Sequence, residues 1–255
     1  MGIRMFKIVF SDARMWKSLL TAISTLVDEA TFNLLPEGLT LRSMDPSHVA
    51  MVDFKLPREA FKEYVSDGQV KVRISLSGMI KLLKRAKSEE ILELTYDPES
   101  RKVHMTVLGA IKKAYTIPTL EVSEEEAPSP RLEFKSLVKL TSETLREVIE
   151  DTQEVSDNVS LETKEDRFIV SAATSLSSGR FEIERGSEAL IDLVVKEPSK
   201  ATFNLNYLLE MVKAGSGTSE ISTIQFSTNM PLKLEFPLAE NGCLSYYLAP
   251  RIEAE

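Results

Sequence analysis

A run of basic side chains on one short segment is the clearest chemical feature of this 255-residue sequence. Residues 75–87 read SLSGMIKLLKRAK, with four basic residues and no acid, whereas the whole chain has 39 acidic and 31 basic residues and a net charge of −8. The spacing predicts a helix near residues 76–87 whose Lys81, Lys84 and Arg85 share one face. A sparse basic surface of this kind suits weak, salt-sensitive contact with nucleic-acid phosphates, although it is also typical of an ordinary solvated helix face.

Residues that usually perform catalysis or hold metals are scattered through the chain. There are two histidines, His48 and His104, and one cysteine, Cys243, and none has the spacing of a zinc site or a nucleophile–base pair. The Gly-rich stretch at residues 214–219 follows a helical pattern, which favours Gly215 as a helix C-cap rather than part of a phosphate loop. We therefore predict no enzyme activity, no cofactor and no metal site.

The elements that position the basic segment occur twice along the chain. Each half is predicted to run strand, helix, several strands, helix, several strands, and the segment at Ser75 matches the segment at Asn204, 129 positions later. This repeat predicts an α+β fold of two tandem copies, each with two amphipathic helices against antiparallel sheet, in domains 1–120 and 132–255. Residues 121–131, with three consecutive Glu and two Pro, predict an extended linker.

The predicted helices differ in charge between the two halves. The first helix adds Arg14 and Lys17 to the basic side, and the last carries Lys213 beside Glu210. The third helix is acidic, and Arg146 is its one base; its acids are Glu143, Glu147, Glu150, Asp151 and Glu154. Equivalent positions of the repeat have therefore acquired opposite charges.

Three stretches resemble the DNA sliding clamps of archaea and eukaryotes, the proliferating cell nuclear antigen (PCNA) family. They are SMDPSHVAMVDF at residues 43–54, IKLLKRAK at 80–87 and YYLAPRIE at 246–253. The resemblance covers nearly the whole chain in order, looks more archaeal than eukaryotic, and begins near Met5, so residues 1–4 are expected to be a short extension or an earlier start. Large aliphatic residues that many relatives carry in the linker are missing here. We therefore expect the affinity for partner proteins, or the choice among them, to differ from that of a typical clamp.

The resemblance implies a pseudo-sixfold ring of three chains that encircles double-stranded DNA, with helices lining the hole. It also implies partners: a clamp loader, a DNA polymerase, a flap endonuclease and a DNA ligase. The implied DNA-facing residues are Lys17, Lys81, Lys84, Arg85, Lys112 and Lys213. A pocket for an aromatic and aliphatic plug of a partner is implied at Met44, His48, Val49, Met51, Ala127, Pro128, Pro231, Tyr247, Ala249 and Pro250.

The subunit interface is implied to form by strand addition, residues 110–118 of one chain pairing with residues 179–184 of the next. We further hypothesise that basic residues at the edge of one subunit meet the acids of the third helix in its neighbour. The expected interface residues are Arg85, Lys87, Lys113, Tyr115, Ile117, Glu143, Glu147, Asp151, Phe181 and Ile183.

Other readings of the sequence stay open. The acidic third helix also fits a subunit of an obligate mixed, heterotrimeric ring, including a checkpoint-type clamp, while an enzyme acting on DNA is disfavoured by the missing catalytic set. No apolar run approaches the ~18 residues needed to span a bilayer. We expect no membrane partner, and a cytoplasmic protein on the chromosome, or a nuclear one if the source is eukaryotic.

Overall fold

The structure is a computed structural model, and it describes residues 5–66, 68–122, 127 and 130–252. By their contacts, the described residues divide into two units. The first contains residues 5–46, 52–66, 68–122, 127 and 238–244, and the second contains residues 47–51, 130–237 and 245–252. The chain therefore contributes one short segment from each half to the other half's unit.

The first half contains two helices and nine strands among its described residues. In chain order they are β1 (Phe6–Phe10), α1 (Ala13–Ser24), β2 (Glu29–Leu35), β3 (Gly38–Met44), β4 (Ala50–Pro57), β5 (Glu63–Ser66), β6 (Val70–Ser75), α2 (Leu76–Leu82), β7 (Ile91–Asp97), β8 (Lys102–Leu108) and β9 (Lys113–Pro118). A single 3₁₀ turn, Arg58–Ala60, follows β4.

The second half repeats this order element by element among its described residues. The elements are β10 (Ser136–Thr141), α3 (Ser142–Gln153), β11 (Asn158–Lys164), β12 (Arg167–Ala173), β13 (Ser178–Glu184), β14 (Leu190–Val195), β15 (Lys200–Asn204), α4 (Leu205–Ser216), β16 (Ile221–Phe226), β17 (Leu232–Pro237) and β18 (Cys243–Leu248). The predicted tandem α+β repeat is confirmed.

Sheet order is also the same in both halves. In the first half the strands run β5–β1–β7–β8–β9 and β4–β3–β2–β6; in the second they run β14–β10–β16–β17–β18 and β13–β12–β11–β15. Neighbouring strands pair antiparallel, as between β7 and β8 or β11 and β12. Alternating burial along the strands, such as iBiBiB in β16, places one face of each sheet against the core.

Each of the four described helices starts with a side-chain N-cap, in which a side-chain oxygen accepts a hydrogen bond from the backbone N–H three residues further on. The capping residues are Asp12, Ser75, Thr141 and Asn204. In each case the preceding strand ends at or just before the cap. The strand-to-helix junctions are therefore encoded locally in both copies.

Helix α2 is shorter than the sequence predicts, because it ends at Leu82 and not near residue 87. Tight hydrogen bonds replace the helical ladder after that point, with Lys84 N donating to Lys81 O and Ala86 N to Leu83 O. Continuing the helix would stack several like charges within one turn, which is unfavourable. Lys84 and Arg85 therefore lie on a turn that follows the helix.

Gly215 has a different role from the predicted C-cap, since it lies inside α4 and the cap is Gly217. A Cβ at Gly215 would lie 2.0 Å from Cε2 of Phe236, so only glycine lets α4 pack this closely on that ring.

Candidate functional site

Four basic side chains of the first unit lie on α1, α2 and the turn that follows α2. Lys17 of α1 donates from Nζ to the carbonyl oxygen of Lys84 at 3.2 Å, which ties the first helix to the turn after α2. Lys81, Lys84 and Arg85 are exposed. In the described part of the chain, none of these four side chains lies within ion-pair distance of a carboxylate. Their charges are therefore available to an anion.

The corresponding helices of the second unit present a different surface. Glu143, Glu147 and Asp151 are exposed on α3. On α4, the Nζ of Lys213 lies 3.9 Å from Oε1 of Glu150 on α3, so the predicted DNA-facing lysine already has an acidic neighbour. The pair is part-exposed and long, which makes it weak. The second unit therefore offers less free positive charge than the first.

Lys112 and Lys113, close in sequence, have different surroundings. Lys112 is exposed in the loop before β9. Lys113 forms a 2.7 Å ion pair with Glu90, a carboxylate that is 9% exposed and also accepts the backbone N–H of Lys87. The Lys113 ammonium, with the Lys87 N–H, lowers the pKa of Glu90 below its ordinary value. Glu90 has no feature in the sequence that singles it out, apart from its position three residues after Lys87.

The predicted subunit-interface strands each have an unpaired side within the described sheets. β9 pairs with β8 alone, and β13 pairs with β12 alone. Ile117 and Ile183 are nearly buried, while Tyr115 and Phe181 are half-buried. Open strand edges beside apolar side chains are typical sites of pairing with another chain.

Two acidic residues of β13, Glu182 and Glu184, have basic partners in the same chain. Glu182 accepts from Arg167 Nη1 at 2.7 Å and from Arg180 Nε at 2.6 Å, and Glu184 lies 3.7 Å from Arg167. These two guanidinium groups lower the pKa of Glu182, the Arg167 bond having the larger effect. Contact with Lys112 or Lys113 of another copy would therefore extend an existing network.

Most of the predicted pocket residues belong to one contact unit. Residues 47–51 group with β17, β18 and the segment that follows β18, and Ala249 N donates to Val49 O at 2.9 Å. His48 is exposed and has φ +56°, a left-handed turn conformation. The second unit therefore holds His48, Val49, Met51, Pro231, Tyr247, Ala249 and Pro250.

Three predicted pocket residues are not in this set. Met44 and Ala127 group with the first unit, and Pro128 is outside the described residues. The predicted acidic run of the linker, Glu124–Glu126, is outside them as well.

Among the described residues, no group of three or more His, Cys, Asp and Glu side chains could hold a metal ion. His104 contacts Thr116 across β8 and β9 at 3.2 Å, which is a structural bond. Over the same residues, no helix is long and apolar enough to cross a membrane.

Comparisons with known proteins match both halves. The family model described as "Proliferating cell nuclear antigen, N-terminal domain" matches residues 5–124, and its C-terminal counterpart matches residues 129–251. The DNA polymerase sliding clamp of Thermofilum pendens is 36% identical over 98% of this chain and 100% of its own length. DNA polymerase sliding clamp 1 of Pyrobaculum aerophilum is 32% identical over 96% of this chain and 98% of its own.

Solved structures agree with these matches. PCNA from Thermococcus kodakaraensis superposes with a TM-score of 0.91 at 25% identity, covering 96% of this chain and 100% of that one. A PCNA2–PCNA3 complex from Sulfolobus tokodaii gives 0.89 at 25% identity, covering 97% and 100%.

Proposed function

The chain belongs to the PCNA family of DNA polymerase sliding clamps, and we propose from this membership how its own residues perform a clamp's work. It is a sliding clamp, a processivity factor that holds a DNA polymerase on duplex DNA. The observation that carries this conclusion is the ordered match of both family domains across residues 5–124 and 129–251. Our proposals concern the ring, the DNA contacts, the partner pocket and the subunit interface.

We propose a closed ring of three copies, joined by β9 of one copy and β13 of the next. The repeat supports this pairing. β9 and β13 each have one unpaired edge in the described sheets, and the repeat gives every copy one edge of each kind. Pairing of β9 in one copy with β13 in the next gives a head-to-tail contact that closes into a ring when the rotation allows.

We propose that the basic surface of α1, α2 and the following turn touches the phosphate backbone of the encircled duplex. Lys17, Lys81, Lys84 and Arg85 carry free positive charge, whereas Lys213 is partly neutralised by Glu150. Few phosphate contacts give weak, sequence-independent and salt-sensitive binding, which lets a ring slide. Lys112 would add charge beside the first unit's helices.

At the subunit interface we propose that Arg85 and Lys87 face the α3 acids Glu143, Glu147 and Asp151 of the neighbouring copy. Lys113 is also among the expected interface residues. Because its ammonium group is paired with Glu90 in its own chain, we propose that it contributes least to the contact with the neighbour. Exposed pairs contribute about 0–1 kcal/mol each, so only a network would matter. In a mixed ring, sister subunits would supply the complementary charge.

The pocket at His48, Val49, Met51, Pro231, Tyr247, Ala249 and Pro250, with Met44, Ala127 and Pro128, is proposed to receive an aliphatic and aromatic plug from partner proteins. Met and Pro surfaces adapt to several such plugs. The proposed partners are the polymerase, a flap endonuclease, a DNA ligase and the clamp loader. We propose no enzyme activity and no cofactor, and a place of action on the chromosome in the cytoplasm.

The test asks whether the protein encircles DNA, which requires that it leave the DNA only over a free end. The chain is loaded onto nicked circular DNA with an archaeal clamp loader, and retention is measured by gel filtration before and after the circle is cut once. A clamp stays on the circle and slides off the linear product. Equal retention on both DNA forms would show ordinary binding and overturn the ring proposal.

A further inference from the structure

One row of side chains differs between the two copies of the four-stranded sheet. In the first unit this row is filled by large charged groups. Arg73, the cross-strand partner of Thr31, forms an ion pair with Glu29, and Arg42 binds Asp53 at 2.6 Å. These long side chains cover the sheet.

The equivalent row of the second unit is made of short hydroxyl side chains. Ser160 on β11 lies opposite Thr202 on β15 and Ser171 on β12, and Ser171 lies opposite Arg180 on β13. Each hydroxyl stands 129 positions after the Thr or Arg of the first unit. The loss of bulk leaves an open groove of about 730 Å³ across the sheet.

Polar atoms at the bottom of this groove have unused hydrogen-bonding capacity. Asn158 Oδ1 and Ser160 Oγ are buried, and neither has a hydrogen-bond partner in the described part of the chain. The amide oxygen is an acceptor, so it needs a ligand that brings an N–H or O–H donor. A buried polar atom left without a partner is costly, which favours an occupant that satisfies it.

The walls of the groove are positively charged. Lys200 and Arg251 line one side, and in the described residues neither has a carboxylate within 4.0 Å. Arg180 lines the other side and is bound to Glu182. Glu162, the cross-strand partner of Lys200, lies 3.8 Å from Lys164 and outside the lining of the groove. An acidic ligand would therefore meet two uncompensated cations.

The groove begins where the proposed pocket ends. Ala249 N donates to Val49 O at the pocket, and two residues later Arg251 N donates to Thr202 O at 2.7 Å, inside the groove. A polypeptide that leaves the pocket along this segment would enter the groove directly.

We propose that the groove binds an acidic segment of a partner polypeptide, next to the plug that enters the pocket. This inference rests on the proposed function, because the plug delivers the segment. A polypeptide fits better than a nucleic acid, since its backbone N–H groups can satisfy Asn158 Oδ1 while its carboxylates meet Lys200 and Arg251. A phosphodiester backbone offers charge without such donors.

The test uses fluorescence anisotropy with synthetic peptides and the full chain. One peptide carries an aliphatic and aromatic plug with a run of glutamates at either end; its control has glutamines in their place. We expect the glutamate peptide to bind roughly threefold to tenfold tighter at low salt, with the gain shrinking as salt rises. Lys200→Glu and Ser171→Tyr should each remove the gain without changing binding of the glutamine peptide, whereas Lys102→Glu, at an exposed lysine of β8, should leave it intact.

Five outcomes would overturn the inference. If the glutamine peptide binds and the glutamates add nothing, the groove proposal fails alone. If the glutamate peptide still binds tighter than the glutamine peptide in both groove variants, the acidic segment binds elsewhere. If Lys102→Glu removes that difference equally, the acidic segment responds to the overall charge of the protein. If neither peptide binds, the pocket proposal fails and this inference fails with it. Binding of a labelled duplex that is lost in Lys200→Glu, without any effect on the peptides, would assign the groove to DNA instead.

Discussion

Glu90 is the residue that ties the basic turn after α2 to the first strand residue of β9. Its carboxylate accepts from Lys113 Nζ at 2.7 Å and from Lys87 N at 2.9 Å, and its carbonyl accepts from Ala13 N at the start of α1. Three parts of the first unit thus meet at one residue, two of them at its nearly buried carboxylate and the third at its backbone carbonyl. The ion pair gives Lys113 a partner in its own chain, which a contact with a neighbouring copy would have to share or replace.

Replacing Glu90 by Gln should lower the free energy of unfolding by about 1–3 kcal/mol at neutral pH, because Lys113 loses its counterion in a part-buried place. The lowered pKa of Glu90 means that its stabilisation is fully present above its ordinary value of 4.5 and is lost as the pH falls through the folded-state value. The variant and the native chain should therefore converge in stability only as the pH falls below the lowered folded-state pKa of Glu90. Urea unfolding at several pH values measures this, with the exposed neighbour Glu89→Gln as control. A difference that is independent of pH would contradict the assigned ion pair.

The grouping of the exposed basic residues could be predicted from the sequence. The partners of the acidic residues could not. Lys81, Lys84 and Arg85 could be grouped from their spacing, because neighbours on a short segment stay neighbours in any fold. Glu182 could not be assigned, since its two arginine partners come from β12 and from its own strand, and their geometry depends on strand register. Glu90 depends in the same way on where β9 starts.

At the scale of elements, the order of helices and strands could be predicted from the sequence repeat, while the end of α2, the C-cap of α4 and the packing of α4 on Phe236 could not. The apolar periods and the cap residues act locally, so they predict helix starts well. The end of α2 at Leu82 depends on the hydrogen bonds of the turn around Lys84. The close packing of Gly215 depends on Phe236, which lies on β17. Such tertiary contacts leave no local signal.

Gly215→Ala should lower the free energy of unfolding by about 1–3 kcal/mol, because its Cβ would lie within 2.0–2.4 Å of three ring carbons of Phe236. Gly217→Ala is the matched control, since its Cβ would be 3.3 Å from a single carbonyl oxygen, that of Ala214. Thermal or urea unfolding of the three proteins distinguishes them. Equal stabilities would show that α4 can shift away from the ring without cost.

The helices of the two units should affect DNA binding in opposite directions. Lys81→Glu with Lys84→Glu should weaken binding to a labelled duplex and reduce the slope of log affinity against log salt by about 1 for each lysine that contacts a phosphate. Glu150→Lys on α3, with Glu154→Lys at the C-cap of that helix, should strengthen binding, because the change frees Lys213 and adds positive charge. Anisotropy at several salt concentrations measures both, with Lys102→Glu as the control for overall charge. If the α3 variant binds no better, the second unit does not face the duplex.

For the whole molecule, the open edges of β9 and β13 and the opposite charges of the two units' helices lead to one expectation, a self-assembling ring. Light scattering of the purified chain should give about 86 kDa, three times the chain mass of 28.6 kDa. A mixed ring predicts a monomer or dimer at every salt concentration instead, because the missing charges and edges would belong to sister subunits. The measurement therefore decides between the two readings of the acidic α3 helix.

The electrostatic part of that assembly is tested by Glu143→Lys with Glu147→Lys. If these acids face Arg85 and Lys87 of the neighbour, the reversal turns attraction into repulsion, and the ring should dissociate at protein concentrations where the native chain stays trimeric. The defect should be strongest at low salt and diminish near 0.5 M, where the screening length falls to about 4–5 Å. Glu210→Lys on α4, a single exposed acid outside the proposed interface set, serves as the control. A trimer that is unchanged at low salt would leave strand pairing as the source of assembly and would remove α3 from the interface.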